Sequence, residues 1–177
     1  VDTGLDFVNA TQFTVAHRGD EATLVYVQDG DGDLTTGDDQ DLAGITFDGS
    51  AWAGPVKITD DAIPDVAPQL LYDSEGVLQL AWRKADALVR QVDSTTGSVE
   101  PIRAGSGGVT FTNFQFLGNP DSRLVVVWQD ISGDNVDLFY VAQDPVTGSW
   151  SSDLRLTHDG AVEQDFSGVF TTDGALH

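Results

Sequence analysis

Four hairpins recur along the chain at a near-constant interval, and this recurrence restricts the fold more than any other property of the sequence. They are QFTVAHRGDEATLVYVQD (12–29), QLLYDSEGVLQLAWRK (69–84), NFQFLGNPDSRLVVVWQD (113–130) and DFSGVFTTDGALH (165–177). Each has an apolar strand, a polar turn and a second apolar strand. Leu24, Leu78, Leu124 and Leu176 fill one slot at spacings of 54, 46 and 52 residues. Fixed-period self-similarity of this length is the mark of a repeat architecture.

Each complete hairpin is followed by a second pair of strands. The third strands read DLAGITFD (41–48), ALVRQVD (87–93) and DLFYVAQD (137–144), and each ends on Asp before a tight turn. The fourth strands read VKIT (56–59), EPIRA (100–104) and LRLT (154–157). Asp, Gly, Ser and Thr in the turns supply left-handed backbone positions and local side-chain bonds. No window of a dozen residues has helical periodicity; alternation and closely spaced turns dominate. The expected fold is all-β, built of β-propeller-like blades of four antiparallel strands. A β-sandwich is the alternative, but it does not explain why whole four-strand units recur. Blades are expected at about 12–59, 69–104 and 113–157, with a half blade at 165–177, all in a single domain spanning 1–177. About three and a half blades fall short of the usual four to eight. The chain is therefore expected to be a mature or excised segment of a longer propeller, half of a homodimeric ring, or a ring closed by strands from residues 1–11.

The turn DPVTGSW (144–150) resembles the Asp-box turns of sialidase-like propellers, although the order S-x-D-x-G-x-x-W is not met. The joints KITDDAIPDVAPQLLYDSEGVLQLAW (57–82) and LRLTHDGAVEQDFSGVFTTDGAL (154–176) resemble those of TolB-like and WD40-like bacterial propellers. The resemblance implies a fold and leaves function open, because such folds host unrelated activities.

Charge narrows the partners. Twenty-nine acidic residues against eight basic ones give a formal charge of −21, and 25 of the acids are Asp. Such a field disfavours nucleic acid and anionic membrane surfaces. No run of 18 apolar residues is present, so no membrane insertion is expected. With no cysteine, disulfides and thiol chemistry are excluded. The Asp excess has two readings, halophilic solubility or an extracellular protein whose turn aspartates bind calcium. The second is favoured because Asp serves turns and oxygen-ligand sites better than Glu.

The irregularity in the repeat is an acidic insertion, QDGDGDLTTGDDQDL (28–42), between strands two and three of the first blade. Asp29, Asp31 and Asp33 alternate, and Thr35, Asp38, Asp39 and Asp41 follow. Calcium takes six to eight oxygens. Alternating Asp and Gly let a loop curl around one ion, with the Thr35 carbonyl at the seventh loop position. The spacing resembles the calcium loops of dockerins and integrin-type propellers, but Leu34 stands where Gly is usual and Gln40 where an acid is usual. Six acids in thirteen residues repel one another at up to ~1 kcal/mol per close exposed pair, which argues for a bound cation. An empty solvated turn is the bland alternative. Asp130, Asp134 and Asp137 form a weaker second candidate.

No HExxH pattern, Ser/His/Asp set or G-x-S-x-G elbow is present, and the six Arg residues are scattered. Paired carboxylates for glycosidase chemistry cannot be singled out among so many Asp residues. Trp82 and Trp128 are expected in the core, and Trp52 and Trp150, just after hairpin turns, packed against the next blade, with stacking on a sugar the alternative. The functional expectation is a non-catalytic, calcium-stabilised propeller module of a secreted or cell-surface protein, structural or adhesive, with protein or glycan partners. The alternatives are the propeller part of a carbohydrate-active enzyme and a sugar-binding lectin-like module.

Overall fold

The computed structural model describes residues 12–30, 36, 39–104, 111, 113–121, 123–132, 135–158, 163 and 165–177. Among the described residues there are twelve strands and no helix. They form three antiparallel four-stranded sheets, each with its strands in sequence order. The first sheet holds β1 (Phe13–Arg18), β2 (Glu21–Asp29), β3 (Gln40–Phe47) and β4 (Val56–Lys57). The second holds β5 (Asp65–Tyr72), β6 (Leu78–Lys84), β7 (Ala87–Asp93) and β8 (Ser98–Arg103). The third holds β9 (Phe114–Gly118), β10 (Leu124–Ser132), β11 (Asn135–Ala142) and β12 (Leu154–Arg155). A final hairpin is closed by bonds between Val169 and His177, N–H to O at 2.9 and 3.0 Å. The four-strand blades expected from the repeats are present. The second begins at Asp65, four residues before Gln69, because the strand continues back through Val66 and Pro68.

The central strands explain why the apolar runs are continuous. Every residue from Leu124 to Gln129 is buried, so both faces of β10 are covered. Trp82 and Trp128 are fully buried, as expected. The outer turns are held by aspartates. Asp48 Oδ1 accepts from the Ser50 and Ala51 N–H groups and the Ser50 hydroxyl at 2.8–2.9 Å. Asp144 Oδ1 accepts from the Val146 and Thr147 N–H groups. Gly49 and Gly148 take φ of 93° and 74° in these turns, a region that L side chains avoid. Trp52 stacks at a tilt on Phe47, 5.3 Å between centroids.

The fold divides into two compact units. One is drawn from residues up to Leu70 with Gln79–Ala85 and Val89–Glu100; the other is drawn from Leu71–Leu78, Asp86–Leu88 and Pro101 onwards. Within the first, Gln12 Oε1 accepts the Ala67 N–H at 2.9 Å and Thr14 Oγ1 accepts the Leu70 N–H at 3.1 Å, tying β1 to β5. Within the second, Gln115 Oε1 accepts the Gly168 N–H at 2.6 Å, tying β9 to the final hairpin.

Candidate functional site

The acidic insertion opens between β2 and β3, and the joint that follows β4 comes back beside it. Asp41, nearly buried at the start of β3, pairs across to Gln28. Its carboxylate accepts from the Thr59 hydroxyl at 3.2 Å and the Asp61 N–H at 3.3 Å, and it pairs with the Lys57 ammonium at 3.0 Å. Thr59 Oγ1 in turn accepts the Leu42 N–H at 2.8 Å. Lys57 also reaches Asp60 at 2.6 Å, and hydrogen bonds from it to Asp60 and Asp41 hold its pKa above the usual lysine value.

One step along, Asp65 is fully buried and accepts the Trp82 indole N–H at 2.6 Å, with the Lys84 ammonium 3.3 Å from both oxygens. Burial raises the Asp65 pKa; the donors around it oppose that shift without cancelling it. Lys84 also bonds Asp61 at 2.6 Å, and this bond holds Asp61 below the usual carboxylate value. Burial acts against the charge on Lys84, but Asp61 and Asp65 outweigh it and raise its pKa.

Gly30, Asp39, Asp41, Lys57, Asp60, Asp61 and Ala62 line a cleft of ≈ 450 Å³. Four carboxylates and one ammonium face it, so it is a place of negative potential suited to a cation. Of the seven residues expected to hold calcium, Asp39 and Asp41 line the cleft, and Asp29 is buried at the end of β2 opposite Gln40. Asp31, Asp33, Thr35 and Asp38 lie outside the described residues. Among the described residues, no three Asp, Glu or His side chains are placed to hold a metal by themselves. The described part of the insertion therefore does not form a metal site by itself.

The third blade repeats the joint in the second unit. Asp137 is buried and binds the Arg155 guanidinium at 2.5 Å and the Thr157 hydroxyl at 3.4 Å, and Thr157 accepts the Leu138 N–H at 3.0 Å. Asp130 lies directly across from Asp137 in the β10–β11 register. Burial raises the Asp130 pKa, eased by Arg103 and reinforced by Asp153 and Asp137. Arg103 pairs with Asp153 at 2.7 Å and lies over the rings of Phe111 and Trp128, 5.4 and 5.6 Å from their centroids. Asp134, the third member of the weaker candidate, is outside the described residues.

The Asp65–Trp82–Lys84 network escaped the sequence reading, as did the roles of Thr59 and Thr157. A signal for the threonines was present. Asp41-Leu42 with Lys57-Ile58-Thr59 and Asp137-Leu138 with Arg155-Leu156-Thr157 are one pattern, and in the second blade, where Ala87 precedes Leu88, a threonine is also missing after Arg103.

Solved structures share this architecture. A GH43 protein, BlXynB, from Bacillus licheniformis matches at TM-score 0.59 and 13% identity, over 99% of this chain and 38% of that one. The catalytic domain of a GH62 α-L-arabinofuranosidase from Coprinopsis cinerea matches at TM-score 0.53 and 11% identity, over 84% and 51%. TolB from Acinetobacter baumannii matches at TM-score 0.53 and 20% identity, over 86% and 34%. The fold is of the propeller type. The chain spans about a third to a half of the length of these propeller-type structures. No protein-family model and no curated protein matches the sequence. Among the described residues, no helix is long and apolar enough to cross a membrane.

Proposed function

We propose that this chain is a non-catalytic module of a secreted or cell-surface propeller protein, structural or adhesive in role, with calcium held at the first blade's acidic joint. The observation that carries this reading is the cleft itself. Asp39, Asp41, Asp60 and Asp61 surround it, with Lys57 as the one cation among the described residues of its lining. The remaining ligands would come from Asp29, Asp31, Asp33, Thr35 and Asp38, the acids whose spacing suits an oxygen-coordinated ion. The ion's contribution would be to neutralise the joint and pin the loop. The bonds of individual acids, Asp41 of the cleft included, support a structural role. Asp41 and Asp137 fasten strand three to strand four, and Asp48 and Asp144 fasten turns.

Calorimetric titration of the protein with calcium tests the reading. The expected result is saturable binding, abolished by Asp31→Ala with Asp33→Ala. Absence of heat at millimolar calcium contradicts it. A second reading makes the chain the propeller part of a carbohydrate-active enzyme. It is favoured by the GH43 and GH62 proteins among the structural neighbours. Turnover of arabinofuranosides or xylosides by a protein containing this chain establishes that reading, and glycan-array binding without turnover favours a lectin-like module.

A further inference from the structure

Among the described residues, two lysines balance the acids of the first joint, and they are seated differently. Lys57 is shared by Asp41 and Asp60, and both of those acids line the cleft. Lys84 comes from β6 and is shared by Asp61, which lines the cleft, and Asp65, which is fully buried behind it. A shift of Lys57 between its partners leaves it in the cleft. A shift of Lys84 toward Asp65 takes its charge out of the cleft and into the core.

The members of this second group run from solvent inward. Side-chain exposure is 45% at Asp61, 23% at Lys84 and 0% at Asp65. The two acids are anchored by other bonds. The Asp61 N–H donates to Asp41 Oδ1 at 3.3 Å, and Asp61 Oδ1 accepts the Ile63 N–H at 2.9 Å. Asp61 Oδ2 is the oxygen given to Lys84, at 2.6 Å. Asp65 Oδ1 accepts the Trp82 indole N–H at 2.6 Å. The Pro64 carbonyl accepts the Ala85 N–H at 2.9 Å, so the end of the joint is tied beside Lys84.

The ammonium is the movable member. It is a compact charge on a flexible four-carbon stem and has no fixed fork to satisfy. It already lies 3.3 Å from both oxygens of Asp65. Leaving Asp61 for Asp65 keeps a carboxylate beside the ammonium throughout, and so avoids the cost of an unpaired buried charge.

From this seating we propose that Lys84 is an exchangeable counter-ion of the cleft. When a divalent cation enters, Asp61 gives its Oδ2 to the ion and the Lys84 ammonium closes on Asp65. The proposal rests on the reading that the cleft takes calcium. It adds a route by which the ion's arrival reaches the buried Trp82. A closer ammonium offsets more of the Asp65 charge and weakens that carboxylate as the acceptor of the indole N–H.

The test is heteronuclear NMR of the EDTA-treated, isotope-labelled protein, following the indole N–H resonance that Trp82→Phe removes. Without calcium, Asp61→Asn should move this resonance upfield, because the released ammonium closes on Asp65. Calcium should move the parent's resonance in the same direction, saturably, and leave that of Asp61→Asn in place. By calorimetry, Lys84→Gln should tighten calcium binding about fivefold, since the competitor for Asp61 is gone. In the Asp61→Asn background the same change should have little effect, which separates exchange at Asp61 from a general field. If Lys84→Gln fails to fold, the resonance of Asp61→Asn decides. The exchange is overturned if Asp61→Asn leaves the calcium-free resonance unmoved. It is also overturned if calcium binds by calorimetry while the parent's resonance stays in place, and the calcium reading then stands without it. Absence of heat at millimolar calcium overturns both.

Discussion

The first and third blades build the same joint and surround it differently. In both, an aspartate at the start of strand three accepts a threonine hydroxyl, the threonine accepts the next main-chain N–H, and a cation from strand four closes the pair. In the third blade the balance is local. Asp137 has Arg155, and Asp130 across from it lies in the field of Arg103. In the first blade Lys57 is shared by Asp41 and Asp60, Asp61 faces the same cleft with Lys84 as its partner, and Asp39 adds a fourth carboxylate. Fastening a strand needs one carboxylate and one cation. The surplus of acid at the first joint is beyond what fastening requires, and this separates a structural joint from a candidate ion site.

The largest effect should come from the network that adjoins the first joint. Asp65→Ala leaves the Trp82 indole N–H without its acceptor and Lys84 with only Asp61, inside a fully buried position. A loss of about 3 kcal/mol is expected by denaturant unfolding. A loss under about 0.5 kcal/mol would show that the second blade does not depend on this acid.

Asp137→Asn and Asp41→Asn compare the joints directly. The first removes a charge that Arg155 balances, so a loss of about 1–2 kcal/mol is expected. The second also relieves repulsion from Asp39, Asp60 and Asp61, so in calcium-free buffer its loss should be smaller. Equal losses would erase the distinction between the joints.

Asp130→Asn addresses acid in the third blade. Its folded pKa is raised by burial, so the folded state binds this proton more tightly than the unfolded chain. Stability therefore falls as pH rises through the window above 3.8. The variant should melt higher than the parent at pH 7, and the gain should shrink as pH approaches 4. In the opposite direction, Asp48, at about 2, and Asp144 and Asp173, also lowered, lose their turn contacts as pH falls below 3.8. A pH-independent gain for Asp130→Asn would place its effect in packing.

Most of the fold was legible because blade strands announce themselves locally. Turn aspartates such as Asp48 and Asp144 bond their own neighbours, and Leu124–Trp128 is an unbroken apolar run. The site was legible only as an excess of acid. Asp41 reads from sequence as one ligand among seven, and its bonds to Lys57 and Thr59, sixteen and eighteen residues away, have no local signature. The Asp65–Trp82 bond spans seventeen residues and has no local signature. Trp128 shows why pattern alone misleads. It fills the same slot as Trp82 and is equally buried, yet it packs edge-on against Phe111 and under Arg103 with its indole N–H unbonded among the described residues.

The most direct test of calcium at the first joint is the melting temperature of the EDTA-treated protein, measured with added calcium and with sodium chloride at matched ionic strength. A saturable rise with calcium is expected, one that the sodium salt does not reproduce and that Asp31→Ala with Asp33→Ala removes. At a hundredfold excess over Kd the rise corresponds to about 2.7 kcal/mol. Equal rises in both salts would contradict it, showing that the acidic joint needs only general screening.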